Sequence, residues 1–251
     1  MTCDSLRNFH PVDESEHSVV IFPHAGGAAS YYYRLSGALS RFCPTYVVQY
    51  PGRHDRRRDV MPASIPELAA ALYCDIVDQG LDHVSLFGHS MGATVAYEVA
   101  SCWPSDSEFT LDNVFVSARV APSIPVSIPA IRTREDAVAE LERLGGTDIR
   151  ILDDNDFLAA AMDVMRTDYD LMDMYQRNIA RVSGHAIDVP IFALAPDDDA
   201  RAPIDNMRRW SGHTRAGFDL QIFEGGHFYL NDRINQVVDY IRQCVLSATH
   251  A

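Results

Sequence analysis

Ser90 stands between Gly88 and Gly92 in the stretch LFGHSMGATVAYEVA, residues 86–100. The apolar run before this serine predicts a strand, and the run after it predicts a helix. In that setting the two glycines permit a sharp turn that exposes the serine oxygen, and the helix N-terminus favours negative charge beside it. The pattern predicts a nucleophilic serine. The alternative is an ordinary Gly-Ser turn at a strand-to-helix junction.

A serine hydroxyl needs a base to take its proton, and the base needs an acid to orient it. His227, in IFEGGHFYLND, is the one histidine of ten that falls between the last predicted strand and the C-terminal helix. The stretch FALAPDDDARAP offers Asp197, Asp198 and Asp199 as the acid. We predict Asp199, because its spacing to Pro203 matches the acid loop common in α/β hydrolases, and we keep Asp197 as the alternative.

Acyl transfer through a serine also needs two amide donors for the oxyanion. The amide of Met91 follows the nucleophile, and the loop IFPHAGGAAS after an early strand supplies a second donor, predicted to be the amide of Ala25. A glycine-rich loop of this kind can instead cradle a phosphate. The sequence here contains neither GxGxxG nor a GK[ST] ending, which disfavours that alternative.

The elements that would position these residues alternate along the chain. Predicted strands are SVVIFPH (18–24), TYVVQYPG (45–52), HVSLFGHS (83–90), NVFVSAR (113–119), VPIFALAP (189–196) and FDLQIFEGG (218–226). Predicted helices are 31–42, 64–79, 91–103 and 231–247. This alternation predicts an α/β fold with a mostly parallel central sheet covered by helices on both faces.

The stretch from about 121 to 188 interrupts the alternation, because it begins with prolines and continues through helix-like segments without a strand. We predict an inserted helical cap, or lid, within a single domain spanning 1–251. Its clearest helices are REDAVAELERLGG (134–146) and 153–178. The cap methionines are predicted to be core packing, with an adaptable lining for an acyl chain as the alternative; they are Met162, Met165, Met172 and Met174.

Composition excludes several classes of function. The chain has 251 residues, a formal net charge of -14 and no lysine, which disfavours binding to nucleic acid. Its five scattered cysteines show no CxxC spacing, so neither a disulfide framework nor a metal site is predicted. No apolar run approaches membrane-spanning length and no signal peptide is recognised, so we expect a soluble cytoplasmic protein that does not bind membranes.

With these pieces placed, the chain resembles the type II thioesterases of polyketide synthase and nonribosomal peptide synthetase pathways, a branch of the α/β-hydrolase superfamily. Five signatures carry the resemblance: FPHAGG (22–27), QYPGRHDR (49–56), FGHSMG (87–92), ELERLGGT (140–147) and EGGHF (224–228). The resemblance implies hydrolysis of aberrant or stalled acyl groups from the phosphopantetheine thiol of acyl or peptidyl carrier proteins. It implies no cofactor of the enzyme's own, because phosphopantetheine arrives on the partner.

Carried over by position, Ser90 is the nucleophile, His227 the base and Asp199 the acid, with the amides of Met91 and Ala25 as the oxyanion hole. The chain departs from the family pattern where Ala195 and Pro196 replace the usual Gly-Gly before the acid loop. It also has Ala200 where proline commonly follows the acid, which leaves the choice between Asp199 and Asp197 open.

Carrier proteins are typically acidic, so an enzyme this acidic needs a local positive surface for them. The segment GRHDRRRD supplies Arg53, Arg56, Arg57 and Arg58 as a predicted docking cluster. A solvated loop with internal pairs to Asp55 and Asp59 is the alternative. Three other functions stay open: a carboxylesterase acting on small esters, a dedicated product-release thioesterase, and an inactive partner-binding scaffold.

Overall fold

The computed structural model describes residues 5–12, 15–144, 155–178 and 186–248. Within these ranges seven strands form one sheet: β1 (Leu6–Arg7), β2 (His17–Phe22), β3 (Thr45–Val48), β4 (His83–His89), β5 (Thr110–Ser117), β6 (Ile191–Pro196) and β7 (Phe218–Phe223). Their spatial order is β1-β3-β2-β4-β5-β6-β7, and every neighbouring pair is parallel except β1 with β3. The predicted α/β fold is confirmed. All six predicted strands are present, and only the two-residue edge strand β1 was missed.

Helices cover both faces of this sheet. They are α1 (Tyr33–Leu39), α2 (Ile65–Val77), α3 (Met91–Cys102), α4 (Arg134–Leu144), α5 (Asn155–Arg177), α6 (Ile204–Met207) and α7 (Ile234–Ala248). Short 3-10 turns occupy Ala29–Tyr32, His54–Arg56, Arg208–His213 and Tyr229–Asn231. None of the helices in the described ranges is long and apolar enough to cross a membrane.

The period-two pattern of the strands divides the core into two layers. On β4, Val84 and Leu86 pack toward α2 and α3, whereas Phe87 packs toward α1 and α7. All three side chains are fully buried. Because both faces are covered, these strands read as apolar runs rather than as alternating ones.

The cap helices α4 and α5 lie between β5 and β6 in the chain, inside the predicted cap region. Met165 and Met172 are buried in apolar clusters and Met162 packs at the edge of one, as predicted for core methionines. Met174 instead is exposed. The residues 145–154 and 179–185, which include the end of the ELERLGGT signature, lie outside the described ranges. That the whole chain forms one domain stays a prediction.

Candidate active site

Ser90 occupies a strained turn between β4 and α3. Its φ of 54° lies in the left-handed region, which residues with a side chain rarely adopt. A Cβ placed on Gly92 would lie 1.9 Å from the carbonyl oxygen of Phe22, and one on Gly88 would lie 2.2 Å from the carbonyl oxygen of Gly92. The turn is therefore compatible only with glycine at both positions, and the surrounding backbone holds the strain in place.

His227 lies on the loop after β7 and reaches the serine directly. Its Nε2 is 3.0 Å from Ser90 Oγ, within hydrogen-bond distance. Gly225, with a φ of 131°, turns the loop back over the sheet. The predicted histidine is thus brought to the predicted serine, with its ring largely buried.

Asp199 completes a continuous chain of hydrogen bonds to the serine. The Nδ1 of His227 is 2.6 Å from Asp199 Oδ2, and Asp199 Oδ1 accepts a bond of 2.9 Å from the Arg201 amide. Asp197 points elsewhere, since its Oδ1 accepts a 2.8 Å bond from the amide of Gly225. Of the two candidate acids, the structure places Asp199 against the histidine and Asp197 in support of the histidine loop.

The predicted oxyanion donors belong to two neighbouring segments, the start of the helix after the serine and the loop after β2. Met91 is the first residue of α3, and Ala25 belongs to the loop that follows β2. Phe22 at the end of β2 pairs in register with Gly88, which brings this loop beside the elbow. Among the described residues, neither amide donates a backbone hydrogen bond. The oxyanion role of both amides stays a prediction.

The loop 24–27, here called the oxyanion loop, is held by the QYPGR segment that follows β3. Tyr50 donates its hydroxyl to the carbonyl of Pro23 at 3.2 Å, and Arg53 Nε donates to the carbonyl of Gly27 at 3.0 Å. Just beyond the loop, the Ala29 amide donates to Gln49 Oε1 at 2.8 Å. The segments FPHAGG and QYPGR are therefore joined by several hydrogen bonds.

The position of Arg53 corrects the prediction that it belongs to a docking cluster for carrier proteins. Its side chain is 4 % exposed and forms an ion pair with Asp168 of α5, so it cannot meet a partner protein at the surface. Arg56 is mostly buried and bonds Asp59 and the Gln49 carbonyl. The remaining members of the predicted docking cluster, Arg57 and Arg58, are exposed.

Two further histidines lie next to His227, and no pattern in the sequence marked them as part of the site. His89 is fully buried, its ring centroid is 5.3 Å from that of His227, and its Nδ1 is 2.9 Å from Ser117 Oγ. His24, in the oxyanion loop, keeps a partly exposed edge and lies 2.8 Å from the Tyr32 hydroxyl. The Phe228 ring contacts all three imidazoles.

Both supporting histidines are neutral at pH 7. Burial, with smaller contributions from the neighbouring His227 and Arg53, lowers the pKa of His24 to about 3. Burial also lowers the pKa of His89 well below its ordinary value, with His227 and His24 adding to the effect. A neutral environment avoids like-charge repulsion when His227 takes up a proton during acyl transfer.

The described residues contain no cluster of three or more metal-ligating side chains. Their four cysteines are free, two of them buried (Cys43 and Cys244) and two exposed (Cys74 and Cys102).

The cap helices contribute two ion pairs beside the site. Buried Glu140 of α4 pairs with Arg201 beside the acid loop, in the same way that Asp168 of α5 pairs with Arg53 beside the oxyanion loop.

Comparison with known proteins identifies the family of this chain. A family model described as "Thioesterase domain" matches residues 17–244. Thioesterase PikA5 of Streptomyces venezuelae is 36% identical over 96% of this chain and 85% of its own length. A probable cadicidin biosynthesis thioesterase of Streptomyces griseus is 32% identical over 96% of this chain and 65% of its own length.

Among solved structures, the type II thioesterase BorB from the borrelidin biosynthetic cluster superposes with a TM-score of 0.85. It is 35% identical, and the match covers 96% of this chain and 97% of BorB. The resemblance predicted from the sequence is thereby confirmed. The family model covers most of the chain, and the relatives compared above are thioesterases. The protein is therefore an enzyme that acts on thioesters, and the chain belongs to the thioesterase domain family.

Proposed function

We propose that this enzyme is a type II editing thioesterase, which removes aberrant or stalled acyl groups from the phosphopantetheine thiol of acyl or peptidyl carrier proteins. The observation that carries the proposal is the hydrogen-bonded chain from Asp199 through His227 to Ser90, found in a member of the thioesterase domain family. Two relatives named for biosynthetic pathways, the probable cadicidin biosynthesis thioesterase and the type II thioesterase BorB from the borrelidin biosynthetic cluster, support the substrate class. Carrier domains of a cytoplasmic synthase are the proposed partners.

The first half of the reaction acylates the enzyme. Ser90 Oγ forms a bond to the thioester carbonyl carbon while its proton moves to His227 Nε2, and the carbonyl electrons move onto oxygen. The amides of Met91 and Ala25 donate to this oxyanion. When the tetrahedral species collapses, the C–S bond breaks and His227 returns the proton to the departing pantetheine thiolate.

The second half repeats these steps with water. His227 takes a proton from a water molecule, whose oxygen attacks the acyl-serine ester, and then returns the proton to Ser90 as the carboxylic acid leaves. Asp199 holds one tautomer of His227 and stabilises its cation throughout. No cofactor of the enzyme takes part, because phosphopantetheine is part of the carrier substrate.

The deciding experiment is time-resolved intact-mass spectrometry of carrier proteins loaded with acetyl and with longer acyl groups. We expect the wild-type enzyme to remove the acyl mass and Ser90→Ala to leave it in place. A matched control is Ser211→Ala, at an exposed serine of the Arg208–His213 turn, which should behave as wild type. If the wild-type enzyme cleaves small esters but leaves every acyl-carrier intact, the enzyme is a carboxylesterase and the carrier proposal is wrong. Strong preference for one finished product would instead indicate a release enzyme.

We further propose that Arg57 and Arg58, the exposed remainder of the predicted cluster, help dock the acidic carrier. The loop that holds them follows β3 at the carboxyl edge of the sheet, on the same edge as Ser90. Arg57→Glu/Arg58→Glu is expected to lower kcat/KM for an acyl-carrier about 10-fold at low salt, and less at high salt.

The matched control for this docking proposal is Arg41→Glu/Arg242→Glu. It makes the same change in net charge at two other exposed arginines, one of them at the opposite edge of the sheet. It should alter carrier turnover less than about 3-fold. Equal losses in the two double variants would mean that only the overall charge matters and that these arginines are no docking site.

A further inference from the structure

The oxyanion loop is in direct contact with the cap. Asp168 of α5 accepts a 2.7 Å bond from the Gly26 amide through Oδ2, and the same oxygen pairs with Arg53. Arg53 in turn donates to the Gly27 carbonyl at 3.0 Å. One buried ion pair therefore binds the two residues that follow Ala25, once through an amide and once through a carbonyl.

Apolar packing from the same helix face reinforces this contact. Ala25 packs against the small cap cluster that contains Met165 and Tyr169. A Cβ on Gly26, whose φ is 78°, would lie 2.9 Å from Met165 Cγ. The loop therefore fits α5 closely, and a displacement of the helix removes the partner of the Gly26 amide.

The ion pair between Arg53 and Asp168 contributes little to the stability of the fold. Arg53 and Asp168 are 4 % and 0 % exposed, so both charges have lost their hydration. The second carboxylate oxygen, Asp168 Oδ1, is buried with no hydrogen-bond partner among the described residues. A buried pair with incomplete hydrogen bonding gains little over apolar side chains of similar volume. Its presence is better explained by the groups that it orients.

We infer that Arg53 and Asp168 are positioning residues, which hold the Ala25 amide in the oxyanion hole and complete that hole only while α5 is seated on the loop. Neither residue touches the reacting atoms. They act through the Gly26 amide and the Gly27 carbonyl, so the position of the cap controls the stabilisation of the tetrahedral intermediate. This inference rests on the proposed acyl-enzyme mechanism, and it adds a coupling between cap and catalysis.

The test replaces the pair without leaving a lone buried charge. The double variant Arg53→Met/Asp168→Leu substitutes apolar side chains of similar size, which commonly preserves or raises stability. With a small synthetic acyl thioester, we expect kcat to fall by about 100-fold, the magnitude typical for one lost oxyanion donor. KM should change by less than about 3-fold, and the pH at which kcat/KM is half-maximal should stay unchanged, because His227 and Asp199 are untouched.

A second readout separates positioning from general damage. An alkyl boronic acid forms a tetrahedral adduct with the serine and places an oxygen in the oxyanion hole. Its affinity for the double variant should weaken by the same factor as kcat/KM. Unchanged kcat in a folded double variant, or a loss of kcat without a matching loss of boronate affinity, would overturn the inference.

The control is Tyr175→Phe, which removes a different contact between cap and core, the 2.7 Å hydrogen bond from the Tyr175 hydroxyl of α5 to Glu98 of α3. It also loosens the cap, but it does not contact the oxyanion loop. We expect its boronate affinity to stay within about 3-fold of wild type. An equal loss in the double variant and in Tyr175→Phe would assign the effect to cap loosening in general and contradict the positioning role.

These measurements use small substrates, so they remain informative if the carrier assignment fails. In that case acyl-carriers are not cleaved, yet the small thioester and the boronate still report on the oxyanion hole. If the wild-type enzyme binds no boronate, both the acyl-enzyme mechanism and the positioning role are wrong.

Discussion

The triad and the oxyanion loop lie side by side, but different kinds of contact hold them. Ser90 is fixed by backbone: its amide donates to the Ser117 carbonyl at 2.9 Å, and its carbonyl accepts from Ala93 at 3.0 Å. The oxyanion loop has one internal backbone bond, from Gly27 to His24, and otherwise relies on side chains of neighbouring segments. Two of those side chains form the buried pair of Arg53 and Asp168.

The two kinds of contact differ in how easily they can change. Backbone bonds survive most side-chain substitutions, so Ser90 should keep its place when the side chains around it change. A loop held by side chains from a cap responds to the position of that cap. Three experiments test this difference: one at the triad acid, one at the turn that holds Ser90, and one at a histidine from each region.

The largest effect is expected at the triad acid. Asp199→Asn should lower kcat by on the order of 10⁴-fold, because an amide nitrogen facing His227 Nδ1 favours the wrong tautomer. Asp197→Asn should lower kcat by less than about 3-fold, since its amide oxygen can still accept from Gly225. Steady-state kinetics with one small thioester suffice for both variants. Comparable losses of kcat in the two variants would mean that catalysis needs Asp197 as well as Asp199.

The elbow is expected to show the next largest effect, on stability. Gly92→Ala drives a methyl group into the backbone of Phe22 and should lower the free energy of unfolding by about 3 kcal/mol or more. The control Gly212→Ala, at an exposed glycine with nothing within 4 Å of an added Cβ, should change it by less than about 0.5 kcal/mol. Urea unfolding measures both. A stable, active Gly92→Ala enzyme would contradict the rigid elbow.

The smallest effect concerns the pH dependence of stability and compares the two regions directly. The folded pKa values of His89 and His24 lie below the ordinary 6.5, so acid protonates these groups in the unfolded chain first and favours unfolding. Between pH 7.5 and 5.5, His24 should account for about 1.4 kcal/mol of lost stability, because its folded pKa of about 3 keeps it neutral in the folded protein while the unfolded chain takes up a proton. His89, whose folded pKa also lies well below its ordinary value, should account for a similar amount.

Urea unfolding of His89→Asn and His24→Asn at the two pH values isolates each contribution, because asparagine retains a hydrogen-bonding group near Nδ1. The stability loss on acidification should shrink by a similar amount in the two variants. If it shrinks in only one of them, the other histidine takes up its proton in the folded protein, and water reaches that region more easily.

Much of the site could be predicted because its local signals are strong. Glycines around Ser90, a histidine after the last strand and an acidic loop after the strand before it each mark a strand end, and parallel strands bring such ends to one edge. Edge strand β1 was missed because two residues carry no periodic pattern. Arg53 was assigned to the surface because an arginine-rich loop is usually solvated, and its partner lies 115 residues away.

The sequence by itself determined the parallel sheet, the sharp turn at Ser90 and the serine and histidine that meet there, because these depend on local turns and on strand order. Only the tertiary structure decided which aspartate faces His227, which arginine is buried and how the cap meets the oxyanion loop. Those choices depend on a few ångströms between side chains of distant segments, where burial makes an unpaired charge costly and so selects the partner.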